Sequence, residues 1–551
     1  MEAPPEFKYI LNPETGRYVK TTGKKGRLLI GKDLCRLYPR NKNIQFAPRP
    51  HQEEALVLFK TMLNEADQNK DAYWRGILLY HGLGTGKTCS YGMMIDEYLS
   101  RPQYKNNKVY IFTSGALRTN FLEQYCGFCG QNTQNVGDTF VFFSYNYSRV
   151  RSQLPPDLNN SLIVIDELHH IINGKTNESP ELSYIYNLIH NSVDSFIVSG
   201  SGSPLLSSYY NLYFIWKLLI RTGMTLEDYE NMFVTDPDDV IRPKDDEDLR
   251  ESLNGCIHYI AIPLDEHYPR VTRDYLPIPI SKERYPQYEK IVNAEREVRP
   301  PQDRDRAMNP AKYRRDLARW YLAVSHLRSR QEGNFSYPVI PRDEKEGTPV
   351  EFGIPDKPLQ SGGWIEADII GNLDHHGEKI LYILHDIQEH QYKHVIYTEF
   401  KTRYGSQLIG GFLDILQIPY RFFDGDMNDT DRQRVLAEFN APNNIHGEQV
   451  QVLIITNAGA EGINLLEVQK FHILEQYISS WVLQQASGRA IRYNSHIRLP
   501  EDERVVHIRN YMLNVEPYGD NLKFSGDYMS LAQAQKKDHK LSYLQEFLRT
   551  L

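Results

Sequence analysis

The stretch from Leu78 to Thr88, LLYHGLGTGKT, constrains this chain more than any other part of it. An apolar run leads into a glycine-rich turn that ends in Lys-Thr. Cys89 to Leu99 then carries apolar residues at 91, 94, 95, 98 and 99, which is helical spacing. Strand, loop and helix in that order make a phosphate-binding cradle. Gly82, Gly84 and Gly86 let the backbone curl until successive N–H groups point inward, Thr85 completes the loop, and the positive end of the helix dipole faces the anion. Lys87 is then placed for the β and γ phosphates of ATP, and the Thr88 hydroxyl for Mg²⁺. One position departs from the full G-x-x-x-x-G-K-[ST] pattern, since His81 stands where its first glycine would. A glycine-rich turn without a ligand is the alternative, and the strand–loop–helix context argues against it.

With 551 residues, 40% of them hydrophobic and 12% aromatic, the chain can bury several cores, and roughly three or four domains are expected. No apolar run approaches the roughly 18 residues of a membrane span, and Met1 to Glu6 lacks the basic and apolar regions of a signal peptide. The expectation is a soluble, intracellular protein without a membrane partner. Five cysteines in so long a chain predict no disulfide framework. The single C-x-x-C, Cys126-Gly-Phe-Cys129, reads either as two buried thiols or as half of a zinc site. The net charge of −8 excludes a chain that is basic throughout, yet residues 1–42 hold ten Lys/Arg against four Asp/Glu. A local basic surface can meet nucleic acid while the rest stays acidic.

The residues up to 45 are turn-rich, basic and weakly periodic: an arm that grips a phosphate backbone, meets a partner protein, or is simply solvated. After Pro48 and Pro50, apolar residues at 55, 56, 58, 59, 62 and 63 predict a helix. Gln52 sits at its start, about thirty residues ahead of the loop, where an amide offering donor and acceptor side by side matches an adenine edge. Lys108 to Ser114 and Thr139 to Ser144 read as strands, with a helix at Leu117 to Tyr125 between them, the alternation of a doubly wound parallel sheet. Ser161 to Asp166 is a further apolar strand that delivers Asp166 and Glu167 at its carboxyl end, the edge where such sheets place ligands. There Asp166 is expected to hold Mg²⁺ through water, and Glu167 to orient and deprotonate the attacking water. Ser195 to Gly200, followed by Ser201-Gly-Ser-Pro204, ends another strand in small hydroxyl residues suited to sensing the γ phosphate.

Taken in order, Gln52, Gly84-x-Gly86-Lys87-Thr88, Asp166-Glu167-x-His169 and Ser201-Gly-Ser203-Pro204 resemble the first lobe of a superfamily 2 helicase or translocase. His394 to Phe400, Tyr420 to Gly425, and Val450 to Asn464 are similar to successive parts of the second lobe. Gln484-Gln485-Ala-Ser-Gly488-Arg489-Ala-Ile-Arg492 matches Q-x-x-G-R-x-x-R. Leu79-Tyr-His-Gly82, Gly488 to His496 and Ser525 to Met529 look like the ATPases of large DNA viruses, among them the small subunit of the poxvirus-type early transcription factor and nucleoside triphosphate phosphohydrolase I.

That resemblance implies an α/β chain of two RecA-like, doubly wound parallel-sheet lobes with a mainly helical insertion between them. It implies ATP hydrolysis, with Gly462 near the nucleotide and Gln485, Arg489 and Arg492 in the catalytic set. The two arginines lie three apart and would share one helical face. It also implies action in viral transcription on nucleic acid, foremost double-stranded DNA, beside a larger transcription-factor subunit or a viral RNA polymerase, in the virion and the infected-cell cytoplasm or nucleus. An RNA helicase, and a non-catalytic subunit clamped by nucleotide, stay open. The expected divisions are the arm at 1–45, the first lobe at 46–262, the insertion at 263–370, the second lobe at 371–515 and a helical tail at 516–551. Within the insertion, residues 281–330 carry thirteen Lys/Arg against seven Asp/Glu. Leu317, Trp320, Tyr321, Val324 and Leu327 recur there at helical spacing, a stripe expected to be core rather than a surface for stacked bases.

Overall fold

Strands that are apolar on both faces must be covered on both faces, and the chain meets that demand twice. The computed structural model describes residues 9–12, 17–20, 35, 46–69, 72, 74–82, 84–131, 136–145, 154–206, 208–261, 267–301, 310–336, 373–402, 404–457, 463–518 and 522–551. Two compact units emerge, Met1–Pro263 with His539–Leu551, and Leu264–Asp538. In the arm, β1 (Tyr9–Asn12) pairs antiparallel with β2 (Arg17–Lys20).

The first unit is built on β3 (Gly76–His81), β4 (Lys108–Thr113), β5 (Phe140–Ser144), β6 (Ser161–Asp166) and β7 (Phe196–Ser201). A small antiparallel pair, β8 (Phe233–Thr235) and β9 (Ile241–Pro243), precedes the last strand of the sheet, β10 (Ile257–Ile260). The sheet order is β10-β3-β7-β6-β4-β5 and every pairing is parallel. Every residue of β3 and β7 is buried, as central strands between two helical layers must be. Because the strands are parallel, the loops after β3, β6 and β7 leave from one edge, and β7 lies between the other two.

The second unit carries β11 (Arg270–Pro279), β12 (Lys393–Tyr397), β13 (Tyr420–Phe423), β14 (Val452–Ile455), β15 (Val468–Ile473) and β16 (Val505–Asn514), in the order β11-β16-β15-β12-β14-β13, again all parallel. Alternate residues feed two separate cores. Val395, Tyr397, Leu453 and Ile455 join one, while Ile396, Val452 and Ile454 join the other. That division is the period-two signature of a sheet covered on both faces.

Two expectations are corrected here. The range expected to be an insertion opens with β11, which pairs along its length with β16 and so is an edge strand of the second sheet. Its exposed, charged residues hid it from a reading that looked for apolar runs. Helices Tyr285–Glu297, Pro310–Val324 and Leu327–Asn334 follow it, and residues 337–372, most of the loop expected over 333–365, lie outside the described residues. The apolar stripe is also not core throughout. Tyr321 is 59% exposed, Val324 is exposed as well, and Leu317, Trp320 and Leu327 are only half-buried. The tail is helical over Gly526–Arg549.

Candidate nucleotide site

The glycines of the loop do what their backbone demands. Gly84 (φ +78°) and Gly86 (φ +88°) both lie in the left-handed region, and the helix Lys87–Ser100 starts directly after Gly86. His81 ends β3 with its side chain fully buried and needs no such backbone, which is why a histidine serves where the general pattern has glycine. The Thr85 hydroxyl donates to the Gly82 carbonyl at 2.9 Å, and Lys87 Nζ donates to the His81 carbonyl at 3.1 Å.

Asp166 ends β6 and pairs in register with Gly200 of β7. A β-carbon at Gly200 would stand 2.0 Å from the Tyr91 hydroxyl oxygen and 3.1 Å from Lys87 Cδ, so glycine is what lets the loop helix lie against β7. The Tyr91 hydroxyl donates to Asp166 Oδ1 at 3.2 Å, the Thr113 hydroxyl lies 3.5 Å from Oδ2, and the Tyr145 hydroxyl donates to the Asp166 carbonyl at 3.2 Å. Lys87, Tyr91, Asp166 and Gly200 therefore converge at one sheet edge. Burial, then the charges of Asp166 and Glu167, push the Tyr91 hydroxyl well above its usual pKa, so it stays a proton donor. Sequence reasoning missed Tyr91. Its position three residues after Thr88 was a signal, but it read as one more apolar residue of the helix.

Glu167 leaves β6 in the left-handed region (φ +55°), a conformation that costs a non-glycine residue on the order of 1–3 kcal/mol and clusters at functional sites. Its Oε2 lies 3.3 Å from His169 Nδ1, which in turn is 3.0 Å from the Ser201 hydroxyl at the end of β7. The Ser203 N–H donates to that hydroxyl at 3.1 Å. Carboxylate and hydroxyl thus approach the same buried ring nitrogen, and the ends of β6 and β7 meet at His169.

The first turn of the helix Pro50–Gln68 braces the loop from the other side. His51 Nε2 lies 3.0 Å from the Thr85 carbonyl. The Gln52 amide accepts from the Arg49 N–H at 2.9 Å and donates to the Gly86 carbonyl at 3.1 Å. Both ends of this amide therefore also contact backbone, so that Gln52 braces the phosphate loop. Glu54 lies 3.5 Å from His258 Nε2, and His258 Nδ1 lies 2.7 Å from His81 Nε2. Burial, reinforced by the neighbouring His258 and Lys87, lowers the His81 pKa to about 2, so this ring is neutral.

The cysteines correct the expectation of free thiols or half a zinc site. Cys89, next after Thr88, is disulfide-bonded to Cys129, and Cys126 to Cys35, with Cα–Cα separations of 5.6 and 5.1 Å. The wide turn Tyr125–Cys129 packs on the loop helix, where the Tyr125 hydroxyl donates to Asp96 at 2.7 Å. Cys256 is free and buried. Among the described residues, no group of three or more His, Cys, Asp or Glu is arranged to hold a metal.

In the second unit the helix Ser480–Ser487 carries Gln485 and stops at Gly488. Arg489 lies in the turn that follows and Arg492 beyond it, so the shared helical face expected for the two arginines is not what holds them. Instead, the Arg489 carbonyl accepts from the Leu465 N–H at 3.1 Å, and the Arg492 N–H donates to the Ser495 hydroxyl at 3.3 Å. Arg489 is buried and Arg492 half-buried. Gly462 lies outside the described residues.

At the carboxyl edge of this second sheet, Glu475 is fully buried. It accepts from the Thr398 hydroxyl at 2.8 Å, the Glu399 N–H and the Asn334 amide at 3.2 Å. Burial outweighs these donors and pushes its pKa up to about 7. A raised carboxyl pKa adds stability below the unfolded value of 4.5 and loses it as pH rises through 7. Wild type is therefore expected to lose up to about 3 kcal/mol over that window relative to Glu475→Gln. Urea midpoints of both proteins at about pH 5.5 and about pH 8 check this, and parallel pH dependences would refute it.

Residues 376–494 match the family described as Helicase conserved C-terminal domain. A protein described as a candidate ATP-dependent RNA helicase of Acanthamoeba polyphaga mimivirus is 22% identical over 81% of this chain and 80% of its own length. A second such protein of the same virus is 22% identical over 85% of this chain and 70% of its own. A termination factor NPH-I homolog of African swine fever virus is 22% identical over 78% of this chain and 68% of its own length. A solved SWI2/SNF2 ATPase core of Sulfolobus solfataricus, in complex with double-stranded DNA, aligns over 92% of this chain and 97% of that chain at 14% identity, with a TM-score of 0.33. Two parallel sheets, one of them ending in a glycine-rich loop beside paired acids, define the class as an α/β chain of two RecA-like lobes. Over most of its length the chain is similar to helicase-type proteins of large DNA viruses, and over residues 376–494 to the helicase C-terminal domain. No described helix is long and apolar enough to cross a membrane.

Proposed function

We propose that the chain is a nucleic-acid-dependent ATPase that moves along or opens double-stranded DNA during viral transcription, at early initiation or termination. The observation that carries the reading is the convergence of Lys87, Tyr91, Asp166 and Gly200 beside the Glu167, His169 and Ser201 cluster. In this reading the loop amides and Lys87 bind the phosphates of ATP. Thr88 and Asp166 fit Mg²⁺, which in such sites is held by one hydroxyl, one carboxylate and the phosphates, and which supplies charge neutralisation when bound. Tyr91, always a donor, holds the Asp166 carboxylate in place. Glu167 orients a water and takes its proton, and His169 passes the state of Glu167 to Ser201 on the next strand. Arg489 and Arg492 supply positive charge to the transition state, and Gln485 and Gly462 complete the set. A larger transcription-factor subunit or a viral RNA polymerase would recruit the chain to its template.

A second reading, an RNA helicase, is favoured by the descriptions of the two mimivirus relatives. Superfamily 2 motifs follow the sugar–phosphate backbone and do not name the sugar. One experiment separates the readings: ATP hydrolysis without nucleic acid and with double-stranded DNA, single-stranded DNA or RNA in parallel. Stimulation greatest with DNA is expected. Stimulation greatest with RNA would transfer the chain to the second reading, and nucleotide binding without turnover in every arm would make it a clamped assembly subunit.

A further inference from the structure

We infer that the outer face of the helix Pro310–Val324 is a binding surface for an unpaired nucleic-acid strand, with bases stacked on Tyr321 and phosphates met by Arg315 and Arg319. This rests on the nucleic-acid-dependent reading above and adds to it a site outside the helicase motifs. Arg315, Ala318, Arg319 and Leu322 recur at three and four residues, so they form one face, and all four are exposed. The Arg315 side chain is 77% exposed and lies 3.9 Å from Asp316. Tyr321 flanks that face at 59% exposure and Leu322 is 52% exposed, while the Trp320 ring stands 5.1 Å from the Tyr321 ring at 52°. Ala323 turns inward, and the helix packs on Leu327–Asn334 and Tyr285–Glu297. The side bearing Tyr321 is left outward.

A buried role would call for apolar neighbours around these rings, and a merely solvated helix would not place two large apolar side chains in water beside arginines. Cations interleaved with aromatic rings are what a single strand requires, since every base offers a face to stack on and every nucleotide a phosphate. The helix holds four Lys/Arg against one Asp in a chain whose net charge is −8, so its positive field is local. A duplex keeps its bases stacked internally and would use the arginines alone. The aromatic residue therefore selects an unpaired strand, and the sugar is left to the test.

The test measures binding of labelled single-stranded DNA, single-stranded RNA and duplex DNA by fluorescence anisotropy across a salt series. It uses full-length wild type, Tyr321→Ala and the double variant Arg315→Ala/Arg319→Ala, with ATP hydrolysis followed in each. Tyr321→Ala should weaken single-strand binding by about 5- to 160-fold, as expected for one lost stacked base, and change duplex binding little. The double variant should lower the slope of log affinity against log salt by about 1.4 for the single strand. Neither variant should alter hydrolysis measured without nucleic acid, which shows that each is folded. The stronger of the DNA and RNA arms names the sugar. Unchanged single-strand affinity and slope in a wild type that responds to nucleic acid would overturn this inference alone and hand the face to a protein partner. A wild type with no response to any nucleic acid would overturn the functional reading as well.

Discussion

Glu167→Gln is expected to bind ATP as wild type does and to hydrolyse it about 10²- to 10⁴-fold more slowly, the range for loss of a positioned base. The amide keeps the shape of the side chain and its place beside His169, but it cannot take a proton from water. Lys87→Ala should behave differently. Lys87 sits where the loop meets β7, in van der Waals reach of Gly200, and its charge would touch the nucleotide in ground state and transition state alike. Its loss should therefore weaken binding and turnover together. Equilibrium binding of a fluorescent nucleotide and single-turnover hydrolysis, measured on both variants, separate the two effects. Turnover close to wild type in Glu167→Gln would remove the base from the mechanism, and Asp166 would then be the only strand-end carboxylate left to the site.

What was legible in the sequence was whatever local pattern alone decides. β3, β6, β7, β12 and β14 carry apolar runs because a parallel strand is covered on both faces, and the glycines of the loop announce left-handed backbone. The site residues they carry could be found for the same reason. What was not legible depends on distant partners. Tyr91 is indistinguishable from a core residue until Gly200, more than a hundred positions later, lies against it. The brace on His81 needs His258, and the pairing of Cys126 and Cys129 needs Cys35 and Cys89. β11 escaped because an edge strand with one partner can afford charged side chains. The stripe around Tyr321 shows the limit in the opposite sense. Its periodicity correctly gave a helix, but periodicity marks which residues share a face and not whether anything covers it.

The arginines after Gln485 draw both lessons into one expected result. The proposed function assigns them to the nucleotide, but the helix that was to align them ends at Ser487, and each makes its own backbone contact. Arg489 is buried and tied through its carbonyl to Leu465, whereas Arg492 is half-buried and tied through its N–H to Ser495. Arg489→Ala would leave a cavity beside a fixed backbone and should cost stability as well as activity. Arg492→Ala removes less buried surface, which makes it the cleaner probe of catalysis. An arginine that meets only the transition-state charge changes turnover far more than affinity, and losses of this kind are on the order of 10³-fold or more. Arg492→Ala is thus expected to melt near wild type, to bind ATP almost normally and to hydrolyse it about a thousandfold more slowly, with or without nucleic acid. Arg492→Lys should restore little of the loss, because an ammonium is a point charge and cannot present the planar fork of a guanidinium. Nucleotide affinity, single-turnover rate and thermal midpoint of both variants decide the matter. If Arg492→Ala keeps most of its turnover, the positive charge at the transition state comes from elsewhere, and if affinity and turnover fall together, Arg492 is a ground-state contact.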